Sequence, residues 1–115
     1  MVVMNRRNFM RSSAALLLAS GCVCQRGRLT VSPVRLGNTG LRVSKLAFGT
    51  GTAGWEGHSD QTKIGPQAFI RLMQQLYERG INFIDAADIY GSHHLIKEAL
   101  KTIPREKLVI MSKIW

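Results

Sequence analysis

Three residues in the second half of the chain carry groups that can move a proton between them: Asp85, Tyr90 and Lys113. Asp85 ends the apolar run Ile81-Asn82-Phe83-Ile84, and Tyr90 follows it by five residues in the stretch FIDAADIYGS. Lys113 follows a second apolar run, Leu108-Val109-Ile110-Met111, in IMSKIW. A free phenol is a weak acid, with a pKa of about 10. A neighbouring ammonium favours the phenolate, which makes the phenol a better proton donor at neutral pH. A carboxylate can hold that ammonium and balance its charge. Tyr90 as acid, Lys113 as its tuner and Asp85 as the lysine's partner suit delivery of a proton to an oxygen that is gaining negative charge. Each residue alone also has an ordinary structural explanation. Tyr90 can be an aromatic packed at a helix start, Lys113 a strand-end lysine, and Asp85 and Asp88 caps for the helix that follows.

A second stretch, LAFGTGTAGW, spells G-x-G-x-x-G from Gly49 to Gly54. In a Rossmann dinucleotide turn the third glycine opens a helix whose N-terminus holds the pyrophosphate, and an acid follows about 20 residues on. Here the helix-start signal Gly65-Pro66 comes about a dozen residues after Gly54, and Asp85 lies 31 residues after it. The spelling is that of a phosphate cradle, but the context is not.

These groups need strands and helices to position them. Val34 to Leu36 and Leu41 to Ser44 are β-rich runs around Gly37-Asn38-Thr39-Gly40, which reads as a small hairpin. Leu29 to Ser32 is a further short β-rich run. Lys45 to Phe48 is an apolar strand leading into the glycines. Phe69, Leu72, Met73, Leu76 and Tyr77 form one helical stripe, opened by Gly65-Pro66 and closed by Arg79-Gly80. Ile81 to Ile84 is a buried strand. Ser92 is the expected N-cap of a second helix with Leu95, Ile96, Ala99 and Leu100 inside, broken at Ile103-Pro104-Arg105. Leu108 to Met111 is a third buried strand. A hairpin followed by β-α-β-α-β, with near-continuous apolar strands, predicts an α/β fold with a parallel sheet covered by helices.

FIDAADIYGS, IMSKIW and the earlier VRLGNTGLRVSKLAFGTG together closely resemble the aldo-keto reductase family, over roughly Val34 to Trp115. The resemblance implies the N-terminal portion of a (β/α)8 TIM barrel: a bottom hairpin plus about three βα units, incomplete as the chain stands. It implies NAD(P)H-dependent reduction of an aldehyde or ketone to an alcohol by hydride transfer. Asp85, Tyr90 and Lys113 take the roles given above, with Tyr90 as general acid. Thr50, Gly51 and Asp85 then lie beside the nicotinamide ribose of NADP(H), with NAD(H) the alternative, and the substrate is a small carbonyl compound. In such a barrel the site lies at the C-terminal face. His93 and His94 stand where the family often has Glu and read as surface or pocket-rim residues. Trp55 and Trp115 either line a substrate pocket or pack as ordinary aromatics. The family's catalytic histidine and its phosphate-binding residues fall beyond Trp115.

A full barrel takes about 250 residues, against 115 here. The chain by itself is therefore expected to be marginally stable and to show little or no reductase activity. Two other readings stay open: a non-catalytic remnant that folds with a partner, and a small Rossmann-type dinucleotide-binding module.

Charge and cysteine usage narrow the remaining classes. The net charge is +9, but Arg6, Arg7, Arg11, Arg26 and Arg28 supply five of these charges, with no acid before residue 29. The remaining basic residues are scattered rather than clustered on one face, so no nucleic-acid partner is expected. Cys22 and Cys24 have no His or Cys at zinc spacing, so no metal site is expected. Residues 1–28 instead have the layout of an export signal. A basic stretch around Arg6-Arg7 precedes the apolar run Ala14 to Ala19 and the small residues Ser20-Gly21. The paired arginines followed by Asn8-Phe9-Met10 resemble a twin-arginine signal, whose export machinery carries folded cargo. Ala19-Ser20-Gly21-Cys22 also resembles a lipoprotein cleavage box, which implies a membrane tether through lipidated Cys22. The expected location is the periplasm or the outer side of the inner membrane, with the cytoplasm as the alternative. The family resemblance implies a partial reductase domain over residues 29–115.

Overall fold

The computed structural model describes residues 30–115. The twin arginines, the apolar run and Cys22 lie outside the described residues, and with them the export and lipid-tether readings. The hairpin forms as its turn residues predict. Strand β1 (Pro33–Arg35) pairs antiparallel with β2 (Arg42–Ser44), Val34 opposite Val43. Thr30 to Ser32 does not extend β1 as a strand; the Val31 N–H is taken instead by the Arg79 carbonyl at 2.9 Å.

Three short parallel strands follow: β3 (Ala47–Gly49), β4 (Phe83–Asp85) and β5 (Val109–Met111). Their order is β3-β4-β5, and the register sets Gly49, Asp85 and Met111 in one row. Parallel neighbours need long crossovers. Helices α2 (Pro66–Glu78) and α3 (His93–Ala99) lie on them. α2 opens with Pro66 in its first turn, where the missing N–H costs nothing. It closes on a Schellman motif: Gly80 donates to the Tyr77 carbonyl at 2.9 Å and Ile81 to the Leu76 carbonyl at 3.0 Å. Gly80 has φ 85°, and a Cβ there would sit 2.9 Å from the Val31 carbonyl oxygen. Only glycine meets both demands.

Of the predicted α2 stripe, Phe69 and Met73 are fully buried, while Leu72, Leu76 and Tyr77 are half-buried. Phe69 and Met73 join Ile84 of β4, Leu95, Ile96 and Ala99 of α3, and Ile103 and Leu108 in one core between sheet and helices. The Phe48 ring meets that of Phe69 at 5.9 Å. One α-helix has no counterpart in the sequence reading. α1 (Asp60–Lys63) is a single turn ahead of α2. Ser59 caps it reciprocally: its Oγ accepts from the Thr62 N–H, and its own N–H donates to Thr62 Oγ1. The reciprocal box is ordinarily recognised by Glu or Gln at that place, and threonine hides it.

Asn82, just ahead of β4, fastens the hairpin to the N-terminal ends of the strands. Its Oδ1 accepts from the Ser44 N–H at 2.7 Å and its Nδ2 donates to the Arg42 carbonyl at 3.0 Å. Ser44 Oγ accepts from the Asn82 N–H at 3.2 Å. The hairpin thus occupies one end of the sheet and leaves the other end, where all three strands finish, to the site.

Candidate active site

Because β3, β4 and β5 run parallel and end in register, the loops that follow them converge. Asp85 is the last residue of the central strand, and Lys113 lies two residues past the end of β5. Lys113 Nζ donates to Asp85 Oδ1 in a hydrogen-bonded ion pair. The same Nζ lies 5.2 Å from the centroid of the Tyr90 ring, within cation–π reach. The hydrogen bond to Asp85 is the chief reason the Lys113 ammonium is held above its ordinary pKa. Partial desolvation opposes this, and the charge of Asp85 and the adjoining Tyr90 phenol add to it. The pair remains open to a ligand, with the Lys113 side chain 44% and that of Asp85 31% exposed. The structure therefore brings together the three residues predicted to act together.

Tyr90 ends a 3-10 turn (Asp88–Tyr90) and is held on both flanks. Before it, the Ile89 carbonyl accepts from the Gly57 N–H at 2.9 Å. After it, Gly91 adopts φ 67° and packs so closely on Gly57 that a Cβ would strike the Gly57 carbonyl. Asp88 does not cap α3. Its carboxylate accepts from the Ile89 N–H at 2.7 Å and the Trp115 N–H at 3.1 Å, and its own N–H donates to the Lys113 carbonyl at 3.1 Å. The segment carrying Tyr90 is thereby zipped to the segment carrying Lys113.

Thr50 and Ser92 meet beneath the site. Ser92 stands at the N-cap position of α3, yet its side chain makes no capping hydrogen bond. Its hydroxyl instead meets Thr50 Oγ1 at 2.8 Å, and both residues are 0% exposed. Thr50 donates its hydroxyl proton to the Asp85 carbonyl at 2.9 Å, and its N–H to the same oxygen at 3.0 Å. The Thr50 proton is thus spent on Asp85, so Ser92 is the donor between the two hydroxyls. Thr50 lies beneath the site, bracing the strand end that carries Asp85, with its hydroxyl turned inward. Gly51, the next residue, is half-buried against the Tyr90 ring. No local pattern announces the Thr50–Ser92 pair, which joins residues 42 apart.

A cavity of about 180 Å³ opens beside the ion pair, lined by Ala87, Tyr90, Lys113, Ile114 and Trp115 among others. Trp55 meets Trp115 edge-on at 6.1 Å. Both indoles are exposed, Trp55 by 56% and Trp115 by 84%, so core packing is not their role among the described residues. His93 Nε2 lies 2.9 Å from Ser112 Oγ, beside Lys113. His94 faces a different cleft, shared with His58 and Lys63.

Comparisons with known proteins bear on the family and the fold. The sequence model of the Aldo/keto reductase family matches residues 45–115, more than half of the chain. A probable aldo-keto reductase of Glycine max is 39% identical over 87 residues, which cover 72% of this chain and 24% of the relative. The NADH-specific methylglyoxal reductase of Escherichia coli is 32% identical over 92 residues, 71% of this chain and 27% of that protein. Among solved structures, the thermostable aldo-keto reductase Tm1743, in complex with the inhibitor epalrestat, superposes with a TM-score of 0.57 at 32% identity. The match covers 72% of this chain and 31% of that one. The chain thus spans about a quarter of the length of these curated relatives. Its hairpin and three-stranded parallel sheet correspond to part of a TIM barrel. By the match of its sequence and of its fold, the chain belongs to the aldo/keto reductase family.

Proposed function

We infer that the chain supplies the proton-donating side of an NAD(P)H-dependent carbonyl reductase that converts an aldehyde or ketone to an alcohol. The observation that carries this reading is the meeting of Asp85, Lys113 and Tyr90 at the C-terminal ends of adjacent parallel strands, with the Lys113 ammonium 5.2 Å from the Tyr90 ring. Tyr90 donates its phenolic proton to the carbonyl oxygen as that oxygen gains charge. The Lys113 ammonium stabilises the phenolate left behind, and Asp85 holds the ammonium in place. Solvent at the open side of the ion pair then returns a proton to Tyr90.

A reduced nicotinamide, when bound, supplies the hydride that completes the alcohol. The residues fit its ribose. Asp85 uses only Oδ1 on Lys113, and no hydrogen bond to its Oδ2 is found among the described residues, which leaves an acceptor for a sugar hydroxyl. The backbone of Gly51 lies alongside. The Thr50 hydroxyl is buried and engaged, so its part in cofactor binding is to brace Asp85 from below. NADP(H) is the cofactor implied by the family resemblance; the NADH-specific relative in Escherichia coli supports NAD(H) as the alternative. The arginine pair and the short apolar run support export through the twin-arginine machinery, with Cys22 as a lipid tether on the outer side of the inner membrane.

Tyr90→Phe in the full-length protein tests the reading. Turnover of a carbonyl panel, followed by loss of NADPH or NADH absorbance, should fall by about 10²–10⁴-fold. Cofactor binding, followed by fluorescence, should not change. Wild-type turnover in Tyr90→Phe refutes the acid role.

A further inference from the structure

Two of the three glycines of the G-x-G-x-x-G stretch, Gly51 and Gly54, meet Tyr90. A Cβ built on Gly51 would fall on the Cδ2, Cε2 and Cζ atoms of the Tyr90 ring. A Cβ built on Gly54 would lie 2.5 Å from Cδ1 and 3.0 Å from Cε1, at the ring's other edge, and 2.8 Å from the Gly51 carbonyl oxygen. Neither glycine has the positive φ that makes other residues unfavourable; among the described residues the positive-φ glycines are Gly37, Gly40, Gly57, Gly65, Gly80 and Gly91. The φ angle therefore does not demand glycine at 51 or 54; the ring demands it at 51, and the ring together with the Gly51 carbonyl demands it at 54. A turn closed by the Gly54 N–H on the Gly51 carbonyl at 2.9 Å presents the two bare α-carbons to one aromatic ring.

The turn is also anchored to both flanks of the segment it holds. Thr50, the residue before Gly51, bonds the carbonyl of Asp85 and the hydroxyl of Ser92. Those residues lie five before and two after Tyr90. Gly57, further along the same loop, bonds the Ile89 carbonyl.

We propose that Gly51 and Gly54 are positioning residues, a bare-backbone seat that fixes the Tyr90 ring against Lys113 and so sets where the phenol points. This rests on the proposed function for its catalytic consequence but not for its structural one. A side chain on the seat must displace the ring, and a displacement of about 1 Å in a reacting group costs about 10²-fold in rate.

Gly49 provides an internal control in the same loop, because a Cβ there meets nothing within 4 Å. Gly51→Ala and Gly49→Ala are compared in the full-length protein, each with Tyr90 present and in a Tyr90→Ala background. The seat predicts that Gly51→Ala lowers the melting temperature when Tyr90 is present and has little effect when the ring is gone. Gly49→Ala should behave alike in both backgrounds. With NADPH and a carbonyl substrate, Gly54→Ala should lose about 10²-fold in kcat while the KM for cofactor holds. A Gly51→Ala protein as stable as Gly49→Ala, or a loss that persists without the ring, overturns the proposal. If Gly51→Ala folds in neither background, fluorine NMR of fluorotyrosine-labelled Gly54→Ala decides. A displaced Tyr90 resonance with Tyr77 unmoved upholds the seat, and both unmoved overturns it. If Tyr90→Phe keeps wild-type turnover while the ring-dependent stability loss is present, the acid role falls and the seat stands.

Discussion

Replacing Thr50 with valine keeps the outline of the side chain and removes one hydroxyl, which makes it a clean probe of the brace beneath Asp85. Thr50 is 0% exposed, and its hydroxyl both donates to the Asp85 carbonyl and accepts from Ser92. The Asp85 carbonyl is not orphaned by the change, because the Thr50 N–H still reaches it at 3.0 Å. Losing that one neutral hydrogen bond costs about 1 kcal/mol. The Ser92 hydroxyl fares worse, since it is fully buried and no other partner for it is found among the described residues. An unsatisfied buried hydroxyl costs about 1–3 kcal/mol, which brings the total to about 2–4 kcal/mol. With a urea slope of about 2 kcal/mol/M, the unfolding midpoint should fall by about 1–2 M. Ser92→Ala should cost less, about 1 kcal/mol, because Thr50 keeps its bond to Asp85. The double variant removes both hydroxyls, so it should be more stable than the sum of the single losses implies. Urea unfolding followed by circular dichroism measures all three. A Thr50→Val protein that unfolds at the wild-type midpoint, or a double variant whose loss equals the sum, refutes the reasoning.

Lys113 is held above its ordinary pKa chiefly by its hydrogen bond to Asp85. The ion pair therefore adds to stability fully below the ordinary lysine pKa of about 10.4 and ceases to do so as pH rises through the raised value. The stability gap between wild type and Asp85→Asn, modest because both groups are partly exposed, should close in that alkaline range when melting temperature is followed against pH. Gly57→Ala, with φ 79° and open space at its Cβ, should cost about 1–2 kcal/mol for the left-handed backbone alone. Gly91→Ala carries the same strain plus a collision with the Gly57 carbonyl, and thermal denaturation should show it clearly the less stable of the two. Asn82→Ala removes the side-chain bonds to Ser44 and Arg42. Hydrogen exchange should show early loss of protection in β1 and β2 while β3, β4 and β5 keep theirs; equal loss in both sheets refutes the fastening role.

Much of the architecture was legible because it is written in local patterns. Gly37 to Gly40 mark the hairpin turn, the apolar runs ending at Phe48, Ile84 and Met111 mark the parallel strands, and the spacing from Phe69 to Tyr77 marks α2. Each pattern follows from the period of the element it forms. α1 escaped because its capping box uses Thr62 in place of Glu or Gln. Ser92 stands at the N-cap position as its residue type predicts, but its hydroxyl meets the buried hydroxyl of Thr50, 42 positions away in sequence, in place of a capping bond.

The sequence by itself determined the order of strands and helices and the chemical identity of the cluster. Asp85, Tyr90 and Lys113 each lie at or just beyond a strand end, and parallel strands bring such ends together. Only the tertiary structure decided what the glycines do. Their spacing suggests a phosphate cradle, yet two of them are bare because the ring of Tyr90 lies on them, a residue 39 and 36 positions further along the chain. It likewise decided that Thr50 faces inward and that Asp88 ties two loops together. The physical reason is the range of the interactions. Periodicity and turn chemistry act over a few neighbouring residues and can be read along the chain. Close packing and buried hydrogen bonds act between whichever residues the fold brings within contact distance.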